Sequence, residues 1–318
     1  DEVLIPEPCF VCYAPLVSLC GGVPVPIDCK IENEFKLTPK QLESAITPKT
    51  KCLLLSYPNN PTGAIMEKDD LEKLVPIIKK HDLLVLSDEI YGELVYDGAK
   101  FTSIASLDGM RERTIVVSGF SKYFAMTGWR LGYVCAPKEI IDVIYKIHQY
   151  AIMCASTSAQ YVALEALNAS FKDDFKEVGA MRDTYDERRK YLVRRLNEMG
   201  LDCFTPRGAF YVFPCVKSTG MDGEARRKKR CSRPGRRIRK KRKRLRAHKL
   251  CLFSRRDKKG TRPYRRVHKR KQKGKQITTN RRQHLNTQGF APKTLNTTRQ
   301  KKRDFTNENR AFAYSFAH

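Results

Sequence analysis

The sequence predicts an α/β fold: a mainly parallel sheet with helices on both faces, followed by the remnant of a small α+β domain. Three observations predict it. Short continuous apolar runs, such as residues 52–56 (C-L-L-L-S) and 83–87 (L-L-V-L-S), have strand length and the composition of strands covered on both faces. Amphipathic stretches alternate with these runs, the order a parallel sheet requires because each crossover holds a helix. Polar clusters follow three successive strands, at the carboxyl ends where open sheets of this kind place their ligands.

Residues 3–5 (V-L-I) form the first strand, which Pro6 and Pro8 stop. A short helix over 13–20 ends at Gly21-Gly22, since glycine accepts the backbone that closes a helix. Residues 23–27 read as the next strand. Thr38-Pro39 opens a helix through Ile46, with threonine as N-cap and proline pre-set for the first turn. Strand 52–56 runs into Tyr57-Pro58-Asn59-Asn60-Pro61-Thr62-Gly63, a loop dense in turn formers. Residues 68–81 form one amphipathic helix with Leu71, Leu74, Val75 and Ile78 on one face. Strand 83–87 ends at Asp88-Glu89-Ile90-Tyr91. Residues 114–117 form a strand that leads to Lys122, and 131–135 form another. Helices follow over 140–153 and 158–169. A long charged helix over 173–199 stops at Gly200, and strands over 201–205 and 208–213 begin the smaller domain. The division is then a large domain over 1–170, a linking helix with the start of a small domain over 171–224, and a basic tail over 225–318.

Charge marks the last boundary. Residues 1–224 hold 26 Lys+Arg against 31 Asp+Glu, whereas 225–318 hold 36 against 3. The overall charge of +28 is therefore a property of the tail. The sequence has no apolar run of transmembrane length and no signal peptide. Its 11 cysteines sit mostly singly on apolar segments, which points to reduced thiols in a cytoplasmic setting. Cys9-x-x-Cys12 is the close pair, and no histidine cluster or second pair accompanies it as a metal site would need.

The chemistry centres on residues 118–133, S-G-F-S-K-Y-F-A-M-T-G-W-R-L-G-Y. Lys122 lies among Phe120, Tyr123, Phe124 and Met126, where lost hydration would free its amine as a nucleophile. Arg130 with Ser118 and Ser121 offers donors for a phosphate. Amine plus phosphate site is what pyridoxal 5'-phosphate requires, together with a carboxylate for the pyridine nitrogen, donors to the ring oxygen and an apolar plate. Asp88, then Asn60 with Tyr91, then Phe10 can supply these. Each has a plainer reading. Lys122 can snorkel from a strand end, Asp88-Glu89 can cap a helix, N-N-P-T-G can be a turn, and Phe10 can be core.

The motifs P-N-N-P-T-G, S-D-E-I-Y and S-G-F-S-K-Y-F-A-M-T-G-W-R-L-G-Y, in this order and spacing, resemble the fold-type I pyridoxal-phosphate-dependent aminotransferases of class I/II. The likeness is to the aspartate and aromatic amino acid branch, and it covers residues 1 to about 224. It implies that Lys122 forms the Schiff base and shuttles the proton, and that Asp88 pairs with the pyridine nitrogen. It implies further that Asn60 and Tyr91 bond the ring oxygen, that Arg130 and a serine hold the phosphate, and that Phe10 stacks on the ring. Amino acid and 2-oxo acid substrates and a homodimer are implied too. A β-lyase or decarboxylase would use the same cofactor residues. One departure is Gly119, where the family often has serine, so Ser118 or Ser121 must serve. The family also precedes D-E-V-L-I-P with roughly a hundred residues, so this chain reads as truncated at its N-terminus.

The tail taken at face value is a basic arm that binds nucleic acid nonspecifically. A slipped reading frame explains it differently. Leu245-Arg246-Ala247-His248-Lys249-Leu250-Cys251, written CTT CGT GCG CAT AAG CTA TGC and read one base later, gives F-V-R-I-S-Y-A. Extended over residues 230–277, the same shift gives a turn, an amphipathic helix and a stop, the ending the family's small domain has. By that resemblance the arginine holding the substrate α-carboxylate is encoded across Ala247 and His248 but absent from the chain, so no residue is assigned to that role. The chain as written is expected to be weakly active at best.

Overall fold

The computed structural model describes residues 1–220 and the backbone of 248–249. The remainder of the basic tail lies outside the described residues. Six strands form one sheet in the order β2-β1-β3-β4-β5-β6. They are β1 (Glu2–Glu7), β2 (Val23–Asp28), β3 (Thr50–Leu55), β4 (Leu84–Asp88), β5 (Thr114–Gly119) and β6 (Gly132–Cys135). All neighbours run parallel except β5 and β6, which are antiparallel. The mainly parallel sheet is the one the apolar runs predict.

Alternation along these strands explains why both faces are covered. Leu53 and Leu55 of β3, with Leu4 and Val85, join one core with Leu42 of α2 (Pro39–Ala45), Leu71 of α3 (Lys68–Glu72) and Ile78 of α4 (Val75–Lys80). Ile5, Leu54 and Leu86 point the other way and pack with Tyr13, Ala14 and Val17 of α1 (Tyr13–Leu19). Successive strand residues face opposite sides, so an unbroken apolar run serves both cores. The α2 start is a capping box: Gln41 N–H donates to the Thr38 hydroxyl, and the Gln41 side-chain oxygen accepts from Thr38 N–H.

Three local expectations differ from what forms. Pro6 does not stop the first strand: β1 runs on to Glu7, with Pro6 opposite Ile27 of β2. The helix over 68–81 is two helices, α3 and α4. Pro76 has no N–H to give the carbonyl four residues back, which is that of Glu72, the last residue of α3. The strands over 201–205 and 208–213 reduce to β7 (Tyr211–Val212), paired antiparallel with β8 (His248–Lys249), and to single bridges at Cys203–Pro214 and Val95–Gly208. A strand extends only as far as its partner does.

The helices α5 (Lys138–Ile152), α6 (Thr157–Lys172) and α7 (Lys176–Glu198) follow the sheet. α7 is pinned by Arg189, which is 1% exposed. Its guanidinium donates to Asp186 at 2.8 Å, to Asp97 at 2.7 Å and to the Pro206 carbonyl at 2.8 Å, and lies 4.9 Å over the Tyr96 ring. Asp97 comes six residues after Tyr91, and Pro206 five residues before Tyr211. The pin therefore joins the segments that meet at the candidate site.

Candidate active site

β4 and β5 are neighbours in the sheet, with Asp88 opposite Val117, and the Glu89 N–H donates to the Val117 carbonyl at 2.9 Å. The end of β4 and the turn that carries Lys122 thus open at the same edge. The Asp88 carboxylate accepts from the Tyr13 hydroxyl at 2.6 Å and from the Ile90 N–H at 3.2 Å. The Tyr13 oxygen is also 2.9 Å from the Ser56 hydroxyl, just past β3. A phenol has one proton and an ionised carboxylate can only accept, so Tyr13 gives its proton to Asp88 and takes one from Ser56. Burial pushes the Tyr13 phenol well above its ordinary pKa, and the Asp88 charge adds to the effect. Phe10 stands edge-on to Tyr13, with ring centres 5.8 Å apart. Phe10 is 41% exposed and so leaves ring surface open for a ligand.

Tyr91 is buried, and its hydroxyl lies 2.8 Å from that of Tyr211 on β7. Burial pushes the Tyr91 phenol well above its ordinary pKa, and the neighbouring Tyr211 adds to the effect. The Lys122 ammonium lies 5.7 Å from the centre of the Tyr91 ring and 5.9 Å from that of Phe210. Those two rings meet edge-to-face at 5.3 Å. Lys122 therefore carries its amine between two aromatic faces that are far apart in the sequence.

The loop after β3 divides its two asparagines. Asn59 is buried and internal to the loop: it donates to the Ser56 carbonyl at 3.2 Å and accepts from the Thr62 N–H at 3.1 Å and hydroxyl at 2.8 Å. Asn60 is half-buried and its side chain makes no hydrogen bond among the described residues, so its amide is available to a ligand. Gly63 closes the loop at φ 73°, where a Cβ would lie 2.2 Å from the Pro206 Cβ. Only glycine fits both the backbone and the space.

The serines and the arginine part company. Ser118 is buried with its hydroxyl 3.4 Å from the Glu89 carbonyl. Ser121 is half-buried, and its hydroxyl makes no hydrogen bond among the described residues, while its carbonyl accepts from Thr127. Arg130 is exposed on left-handed backbone (φ 55°), and its guanidinium donates to the Thr127 carbonyl at 3.0 Å. Gly119 has a steric reason here: a Cβ would lie 2.7 Å from the Gly132 Cα across the β5–β6 pair. Cys9 and Cys12 are half-buried and are not joined in a disulfide. No group of three or more metal-ligating side chains occurs among the described residues.

Sequence reasoning missed Tyr13, Ser56, Phe210 and Tyr211. Tyr13 and Ser56 are 43 positions apart, and Tyr91 and Tyr211 are 120 apart. The faint signals were a tyrosine three residues after Phe10 and an aromatic pair on a short strand.

Comparison with known proteins agrees with this architecture. The family model for aminotransferase class I and II matches residues 1–243. The putative aminotransferase YugH of Bacillus subtilis is 53% identical over 224 residues, which are 70% of this chain and 57% of that protein. An aspartate aminotransferase of Pyrococcus abyssi is 52% identical over 221 residues, 70% of this chain and 56% of the relative. The solved aromatic aminotransferase from Pyrococcus horikoshii superposes with a TM-score of 0.68 at 50% identity, covering 70% of this chain and 60% of that one. The chain thus spans a little over half the length of the curated relatives it matches.

Proposed function

The chain belongs to the aminotransferase class I and II family, and from that premise we propose that it is the cofactor-holding part of a pyridoxal-phosphate-dependent aminotransferase. The amino group would pass between an amino acid of aspartate or aromatic type and a 2-oxo acid. The named activities of relatives such as the P. abyssi aspartate and P. horikoshii aromatic enzymes support that substrate class. The observation that supports the reading is the Lys122 amine 5.7 Å from the Tyr91 ring centre, just past two adjacent parallel strands of which one ends in Asp88.

The donor set fits the cofactor in kind. It holds an amine for the aldehyde, a carboxylate for the ring nitrogen, a phenol and an amide for the ring oxygen, and an exposed aromatic face at Phe10. When bound, pyridoxal phosphate supplies an electron sink for the carbon that gains or loses a proton. The chain's own groups do the rest. Asp88, oriented by Tyr13 and the Ile90 N–H, holds a proton on the ring nitrogen. Tyr91 and Asn60 hold the ring oxygen. Ser121 and Arg130 would hold the phosphate, since the buried Ser118 hydroxyl lies 3.4 Å from the Glu89 carbonyl. Lys122 would hold the cofactor through its amine and would move the proton at the substrate carbon. The faces of Tyr91 and Phe210 keep water from one side of its amine.

The free thiols of the described residues support a reducing, cytoplasmic setting, and no described helix is long and apolar enough to cross a membrane. The exposed apolar side chains of α5 and α6, Ile147, Tyr150 and Tyr161 among them, support pairing with a second copy. The slipped frame explains the abrupt charge change after residue 224, and the chain as written turns over weakly at best. The test of the site is spectroscopic. Pyridoxal phosphate added to the full chain gives a band near ~420 nm that Lys122→Ala abolishes. A band unchanged in Lys122→Ala sinks the assignment.

A further inference from the structure

We propose that Tyr211 is a positioning residue that acts through Tyr91, setting the direction in which the Tyr91 hydroxyl donates its proton. The inference rests on the reading of the site given above and concerns a side chain outside the motifs that identified it. The two hydroxyls are 2.8 Å apart, and both side chains are buried, Tyr91 at 4% and Tyr211 at 9% exposure.

A bond of this length between two neutral phenols uses one proton, placed on the line between the oxygens. Two arrangements exist. Where Tyr91 donates to Tyr211, it has no proton left for a ligand. Where Tyr211 donates to Tyr91, the Tyr91 proton turns away from the pair toward the site. The Tyr91 oxygen, by accepting, then becomes the stronger donor, because linked hydrogen bonds polarise one another. A ligand with an acceptor oxygen at Tyr91 selects the second arrangement.

Packing holds the pair in register. The Tyr91 ring meets Phe210 at 5.3 Å and Tyr211 at 5.8 Å, both edge-to-face. Phe210 in turn lies against Tyr185 of α7 at 5.2 Å. A residue of β7 thus tunes a donor in the turn that follows β4.

The test is a double-substitution cycle on cofactor binding. Pyridoxal phosphate is titrated into the full 318-residue chain and into its Tyr91→Phe, Tyr211→Phe and doubly substituted forms. Dissociation constants are read from cofactor absorbance. Phenylalanine keeps the ring and its packing. Tyr211→Phe should weaken binding roughly three- to tenfold, the worth of one hydrogen bond, and should add nothing once Tyr91 is phenylalanine. Equal losses in both backgrounds mark a packing role and overturn the proposal, as does an unchanged constant in Tyr211→Phe alone. In the cofactor-free protein, Tyr211→Phe should also shift the Tyr91 Cζ resonance, and an unmoved resonance overturns the pairing. Lys122-dependent uptake that ignores Tyr211 removes this inference alone. No Lys122-dependent uptake at all removes the reading of the site, and the inference with it.

Discussion

Replacing Arg189 by methionine should destabilise the chain more than any surface change, because the guanidinium binds three acceptors while itself 1% exposed. Methionine keeps most of the apolar stem and removes the charge. It removes a donor from Asp97, from the Pro206 carbonyl and from Asp186, which keeps Lys190. Breaking a buried ion pair by removing one partner costs about 3–5 kcal/mol. The Asp97 side chain is 40% exposed and can recover water, whereas that of Asp186 is only 22% exposed, so the lower end, about 3 kcal/mol, is expected. At a urea slope of about 2 kcal/mol/M, the unfolding midpoint falls by about 1.5 M. Burial raises the Asp186 carboxyl, but hydrogen bonds from Lys190 and Arg189 outweigh it and hold the carboxyl below its ordinary value. That stabilisation is present above the unfolded carboxyl pKa and is lost as pH falls through the folded one. The acid-side loss should therefore shrink in Arg189→Met. A midpoint within about 0.3 M of wild type would refute the account of Arg189 as the pin of α7.

Two further substitutions probe the frame of the site. Gly63→Ala forces a side chain onto φ 73° and drives its Cβ to 2.2 Å from the Pro206 Cβ. A loss of about 2 kcal/mol or more is expected in chemical denaturation. Glu89 is buried, which raises its carboxyl despite hydrogen bonds from Ser103 and Ser87. A raised folded pKa favours the protonated form, so its contribution is full below the unfolded value and is lost as pH rises through the folded one. Glu89→Gln keeps an acceptor for both serines and should flatten that loss in a pH series of thermal unfolding curves.

The sheet was legible because its strands are buried on both faces, so runs such as residues 52–56 and 83–87 carry their own signal. Asn60, Asp88, Tyr91 and Lys122 stand out as candidates in the sequence because each follows such a run. The break after Glu72 was legible in principle, since Pro76 withholds the donor its carbonyl needs, but amphipathic spacing ran straight through it. Tyr13 and Tyr211 were not legible. Each works through a partner on a distant segment, and its local surroundings look like ordinary core.

The central claim is that Lys122 takes the cofactor in a pocket built by Asp88 and Tyr91. Borohydride trapping of the full chain after loading with pyridoxal phosphate, followed by peptide mapping, tests it most directly. The account predicts the pyridoxyl mass on the peptide carrying Lys122, with little elsewhere. Label spread over surface lysines, with Lys122 unmodified, would contradict it.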